Sequence, residues 1–82
     1  MNAPIGSLLQ LVAEALRLPV TEVGPDMEMA HTDAWDSLSH MELILSIEKR
    51  YAIQLTPDEM VELTSVGRIT QALQARGLLA CN

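Results

Sequence analysis

Apolar residues at Ile5, Leu8, Leu9, Val12 and Leu16 fall at i, i+3, i+4, i+7 and i+11, the spacing that lines one face of an α-helix. It predicts a first helix over 4–17. Pro4 fits the first turn. Pro19 biases Leu18 out of the helical region and ends the helix near Arg17. From 18 to 36 the periodicity disappears into Pro19, Gly24, Pro25 and several Asp and Thr residues, the composition of a loop. Loops this long are uncommon in compact domains and are often functional; a plain connector is the alternative. A second helix is predicted over 37–50, with Asp36 or Ser37 as its cap and Ser39 and Glu42 at capping-box spacing. Tyr51-Ala52-Ile53-Gln54-Leu55 alternates as a strand does, but it has no second strand to pair with and reads as a link. Thr56-Pro57-Asp58-Glu59 combines a cap, a proline at the first helical position and a Glu three residues after the cap, and so starts a short third helix. Thr64 and Ser65 offer a new cap. Val66, Ile69 and Leu73 then define a last helix over 65–76, closed by Gly77. The sum is an all-α chain, one domain over 1–82. It is a small four-helix bundle of three main helices and one short third helix, with the long loop between helices one and two.

The second helix carries more apolar surface than one core needs. At about 100° per residue, with Leu38 at zero, Leu43, Ile44, Ile47 and Tyr51 occupy an arc of roughly 140–240°. Leu38, Met41 and Leu45 occupy a separate arc at roughly 300–360°, flanked by Glu42, Glu48 and Lys49. Two readings stay open for this second patch. It packs under the long loop, where Leu18, Val20, Val23, Met27 and Met29 await partners, or it is a carboxylate-rimmed surface for docking other proteins.

Composition narrows the chemistry. Trp35 and Tyr51 are the two aromatics among 82 residues, so the core is built from Leu, Ile, Val, Met and Ala. Ordering such a chain costs on the order of 100 kcal/mol of conformational entropy, which leaves little apolar surface to line a deep substrate pocket. Eleven acids against five bases give a net charge of −6. Nucleic-acid binders carry a basic face, which five bases do not easily supply. The single cysteine, Cys81, cannot form an internal disulfide, and no Cys/His spacing reads as a metal site. Met1 to Gly6 shows no signal-peptide pattern, and no apolar run approaches the ~18 residues of a membrane span. The expectation is a cytoplasmic monomer with no nucleic-acid or membrane partner.

The acid is unevenly placed. Between residues 26 and 62 stand Asp26, Glu28, Asp33, Asp36, Glu42, Glu48, Asp58, Glu59 and Glu62 against Lys49 and Arg50. Outside that span Glu14 and Glu22 face Arg17, Arg68 and Arg76, and no acid follows Glu62. The frame is near neutral, and the charge is gathered around the second helix, where it can steer basic partners.

The distinctive segment is Asp33-Ala34-Trp35-Asp36-Ser37-Leu38-Ser39-His40-Met41-Glu42-Leu43. It places a hydroxyl after a carboxylate at a helix start. Ser37 can be a cap. It can be a hydrolase nucleophile with His40 as base, which needs an oriented imidazole and an oxyanion hole; a bundle this small has little room for one. It can be a site of covalent modification, since free amides and the positive dipole end of a helix favour a phosphate. His40 falls on the core-side arc, as a packed or capping side chain. His31 reads as solvent-exposed. Met27, Met29 and Met41 adapt to irregular surfaces, and ordinary core packing explains them as well.

Asp36-Ser37-Leu38, followed by Met41-Glu42-Leu43 and Tyr51 and later by Thr56-Pro57-Asp58-Glu59 and Thr64-Ser65-Val66-Gly67, resembles the acyl carrier protein family over nearly the whole chain. The resemblance implies a non-catalytic carrier. Ser37 carries 4′-phosphopantetheine through a phosphodiester, installed from coenzyme A by a phosphopantetheinyl transferase. Asp36 helps that enzyme engage the serine. Leu38, Met41, Glu42, Leu45 and Glu48 form the partner-docking face, so Glu42→Lys and Glu48→Lys are expected to weaken docking with little change in stability. Implied partners are an acyl-loading ligase or acyltransferase and a ketosynthase or other acyl-transferring enzyme. Lys49, Arg50 and Trp35 depart from the pattern of primary fatty acid synthesis. They point to a discrete carrier of polyketide, fatty-acid-like or other secondary biosynthesis. Ala34-Trp35-Asp36 stands where peptidyl carriers usually present Gly-Gly, which favours acyl over aminoacyl cargo. An aminoacyl or peptidyl carrier, or an unmodified helical adaptor, is the alternative.

Overall fold

The computed structural model describes residues 4–79; Met1 to Ala3 and Cys81 lie outside them. Four helices follow in order: α1 (Ile5–Leu16), α2 (Ser37–Tyr51), α3 (Pro57–Glu62) and α4 (Val66–Ala75). The all-α bundle expected from the periodicity is present. No described helix is long and apolar enough to cross a membrane.

Pro4 is the extended residue before α1, not part of its first turn as the sequence suggested. Leu8, Leu11, Val12, Ala13, Ala15 and Leu16 are buried, and α1 lies against α2 and α4. The helix ends one residue before the expected stop, at Arg17, whose φ of 59° is left-handed. Leu18 N–H then reaches Ala13 O at 2.9 Å, the 6→1 bond of a Schellman motif. Ala52 ends α2 in the same way, with φ 54° and Ile53 N–H on Glu48 O at 3.1 Å. Gly77, with φ 73°, ends α4 by a 2.9 Å bond from Leu78 N–H to Leu73 O. Of these three stops, Pro19 marked the first and Gly77 the last in the sequence, and no residue type marked the one at Ala52.

The capping box at α3 forms as its sequence predicts. Glu59 N–H donates to Thr56 Oγ1 and Thr56 N–H donates to the Glu59 carboxylate. Ser65 caps α4 through Arg68 N–H. Ser39 and Glu42 make no such box. Ser39 sits inside α2, and Asp36 is the cap.

The loop at 18–36 contains two 3₁₀ turns, Val20–Glu22 and Met29–His31. It is held at a distance in sequence. Met29 N–H donates to Thr64 O at 2.9 Å and Val66 N–H to Met27 O at 3.0 Å, an isolated antiparallel bridge between Glu28 and Ser65. Most of its apolar side chains turn to the core: Val23 is buried, and Leu18, Met27 and Met29 pack against the cluster, while Val20 stays 51% exposed. They do not cover the second patch of α2, where Leu38, Met41 and Leu45 are 71%, 47% and 59% exposed. The patch is a surface.

Candidate functional site

Ser37 is the first residue of α2 and is exposed. Asp36 precedes it in extended conformation and accepts a 2.8 Å bond from Ser39 N–H. That bond, which only the carboxylate form accepts in full, holds the Asp36 carboxyl below its ordinary range. Because Asp36 takes the capping role, the Ser37 hydroxyl is left without a hydrogen-bond partner among the described residues. The amides that open a helix have no acceptor within it, so an anion bonded to Ser37 meets N–H donors and the positive end of the α2 dipole.

The interior side of this helix start is closed by two rings. Trp35 is 2% exposed and His40 is 8% exposed. The Trp35 indole Nε1–H donates to His40 Nδ1 at 3.0 Å, and the ring centroids lie 6.2 Å apart. Nδ1 is therefore an acceptor, and the imidazole proton resides on Nε2. From there it is donated to the Met60 carbonyl in α3 at 2.7 Å. With both nitrogens engaged away from Ser37, His40 is not placed as a base for it. The packed histidine expected on the core-side arc is what stands there. His31 is exposed, as expected.

The outward side is the patch of Leu38, Met41 and Leu45, with half-buried carboxylates at its margins. Glu42 meets Arg17 of the α1 terminus at 4.0 Å across largely exposed side chains. Glu48 does more. Its Oε2 accepts the Leu55 N–H at 2.9 Å, tying the end of α2 to the link before α3. The expectation that Glu48 could be reversed in charge without cost to the fold is corrected by this bond. Val61 in α3, 75% exposed, follows the Met60 whose carbonyl holds His40. No periodic pattern marks it along the chain, since α3 is six residues long.

A family model described as the phosphopantetheine attachment site matches residues 6–73. An acyl carrier protein of Streptomyces coelicolor is 35% identical over 77% of this chain and 68% of its own length. The chain belongs to the acyl carrier protein family. Among other relatives of this carrier, a polyketide-8 synthase acyl carrier protein 2 of Streptomyces avermitilis is 36% identical over 72% of the chain and 68% of its own length. The acyl carrier protein MbtL of Mycobacterium bovis is 26% identical over 85% and 83%. The family's prosthetic group is 4′-phosphopantetheine. An exposed, unengaged hydroxyl at a helix N-terminus fits a carrier's need for a phosphodiester anchor.

Proposed function

We propose that Ser37 is the attachment point of 4′-phosphopantetheine and that the protein, a single carrier domain, presents acyl intermediates to partner enzymes without being a catalyst itself. The observation that carries this is Ser37 at the start of α2: exposed, relieved of capping by Asp36, and inside the span matched by the phosphopantetheine-attachment family. In the loading step the Ser37 oxygen forms a bond to the phosphorus of coenzyme A that bears the pantetheine. The pyrophosphate bond breaks, the adenosine bisphosphate departs, and the hydroxyl proton passes to the transferase. Once bound, the arm supplies a thiol whose thioesters have an electrophilic carbonyl and acidic α-hydrogens.

The residues of this chain perform the recognition. Asp36, exposed beside Ser37, is the contact for the phosphopantetheinyl transferase. Leu38, Met41 and Leu45 supply apolar area for docking, and Glu42 and Glu48 supply the charge that orients a basic partner. Those partners are an acyl-loading enzyme and acyl-transferring enzymes of polyketide or related biosynthesis, in the cytoplasm. This reading is supported by the relative named as a polyketide-synthase carrier.

Incubation with coenzyme A and a promiscuous transferase is expected to add one phosphopantetheine to the intact mass. Ser37→Ala is expected to abolish the addition and to keep the helical circular dichroism of the parent. A wild-type protein left unmodified by several transferases overturns the proposal.

A further inference from the structure

An acyl chain on an arm at Ser37 has two places to go: into the bundle or along its outside. The inward route is occupied. One helical turn after Ser37 stands His40, and beside it Trp35, both buried. These rings are fixed at both ends, by the 3.0 Å bond between them and the 2.7 Å bond from His40 to Met60 O in α3. Displacing either ring to admit a chain breaks a buried hydrogen bond and strands its donor or acceptor in an apolar interior, where an unmade bond is costly. Deeper along the same face, Leu43, Ile44 and Ile47 are fully buried in a core with the density of an organic solid. Among the described residues, open grooves of about 490 Å³ and about 450 Å³ lie between α1 and α2 and between α3 and α4. Charged residues edge both, Glu14, Glu42 and Arg50 in the first and Glu59, Glu62 and Arg68 in the second, and neither lining includes a residue from Trp35 to Met41.

We infer that cargo on this arm stays outside the bundle whatever its length, and that Trp35, clasped through His40 to α3, is the residue that keeps it out. The inference rests on the reading of Ser37 as the attachment point. Its consequence is that partner enzymes meet the whole acyl chain and need not extract it from the carrier.

The test loads the protein with acetyl- and octanoyl-pantetheine from the corresponding acyl-coenzyme A, with intact mass verifying each load. Thermal midpoint and the emission of Trp35, the one tryptophan of the chain, are then compared. The expected result is midpoints within about 2 °C of each other and an unchanged emission maximum. Octanoyl has about six more carbons than acetyl. Burying them raises the midpoint of a domain this size by more than about 10 °C, and such a rise in the wild type overturns the inference. In Trp35→Ala, the vacated volume is expected to admit the chain, so that octanoyl raises the midpoint well above acetyl. Equal midpoints in the folded variant overturn the role of Trp35. Trp35→Leu replaces it if the alanine protein does not fold, and the wild-type comparison decides the location of the cargo by itself. Absence of any mass gain overturns the Ser37 reading and this one with it, whereas chain-length dependence in a loaded protein overturns this one alone.

Discussion

Four side chains show how much a single contact decides here. Asp36 and Ser37 divide two tasks that either could perform. Asp36 satisfies the Ser39 amide, and Ser37 remains open to chemistry. His40, three residues on from Ser37, was one candidate base by position, but its place on the core-side arc already pointed to a packed side chain. Its two bonds, to Trp35 and Met60, make it a structural strut. Tyr51 is the exception in an otherwise well-satisfied interior. Its hydroxyl is buried without a partner among the described residues, and burial pushes the phenol above its ordinary pKa. A buried polar group left unpaired costs about 1–3 kcal/mol. Tyr51→Phe removes that cost while keeping the ring, and is expected to stabilise the protein by about 1 kcal/mol, a rise in thermal midpoint of about 4–8 °C. A lower midpoint shows that the hydroxyl finds a partner, such as a bound water, in solution.

At the scale of elements, starts were legible as capping residues, whereas the stops of α1 and α4 were marked only by Pro19 and Gly77 and that of α2 by no residue type. Thr56 and Ser65 announce α3 and α4 because capping oxygens are a small set of residue types acting over three positions. The stops of α1 and α2 rely on left-handed Arg17 and Ala52, residues with no preference for that conformation. What places them there is the chain's need to turn back onto the core, where Val23 and Leu55 are buried. A side chain in the left-handed region costs about 1–2 kcal/mol relative to glycine. Ala52 is exposed, so Ala52→Gly loses no packing. It is expected to stabilise by about 0.5–1 kcal/mol once the greater freedom of glycine in the unfolded chain is subtracted. Urea denaturation checks this, and a lower midpoint shows that Ala52 does not hold that conformation in solution.

Across the whole molecule, the acids of the 26–62 span act on one surface in two ways. Glu42 pairs loosely with Arg17, and such exposed pairs contribute about 0–1 kcal/mol. Glu48 holds the Leu55 amide. Both substitutions to Lys are expected to slow association with a transferase, more at low salt than at high, because steering is screened over about 10 Å at 0.1 M. Only Glu48→Lys is expected to lower stability as well, by about 1–2 kcal/mol. Stopped-flow association rates at two ionic strengths, with thermal melts of each variant, separate the effects. Equal melting losses show that the Glu42 margin is structural too. The residues along the chain determined by themselves the helix order, the caps at Thr56 and Ser65, the place of Ser37 at a helix start and the gathering of acid around it. Each of these depends on neighbours within about one or two helical turns, which periodicity and capping rules reach. Only the tertiary structure decided which apolar face of α2 is covered, that Glu48 braces the fold while Glu42 does not, and that Trp35, His40 and Met60 seal the interior beneath Ser37. Those outcomes depend on residues that meet after the chain has turned back on itself: Met60 lies 20 positions from His40, and the partners of Met27 and Met29 are beyond position 63. No local pattern encodes such distances.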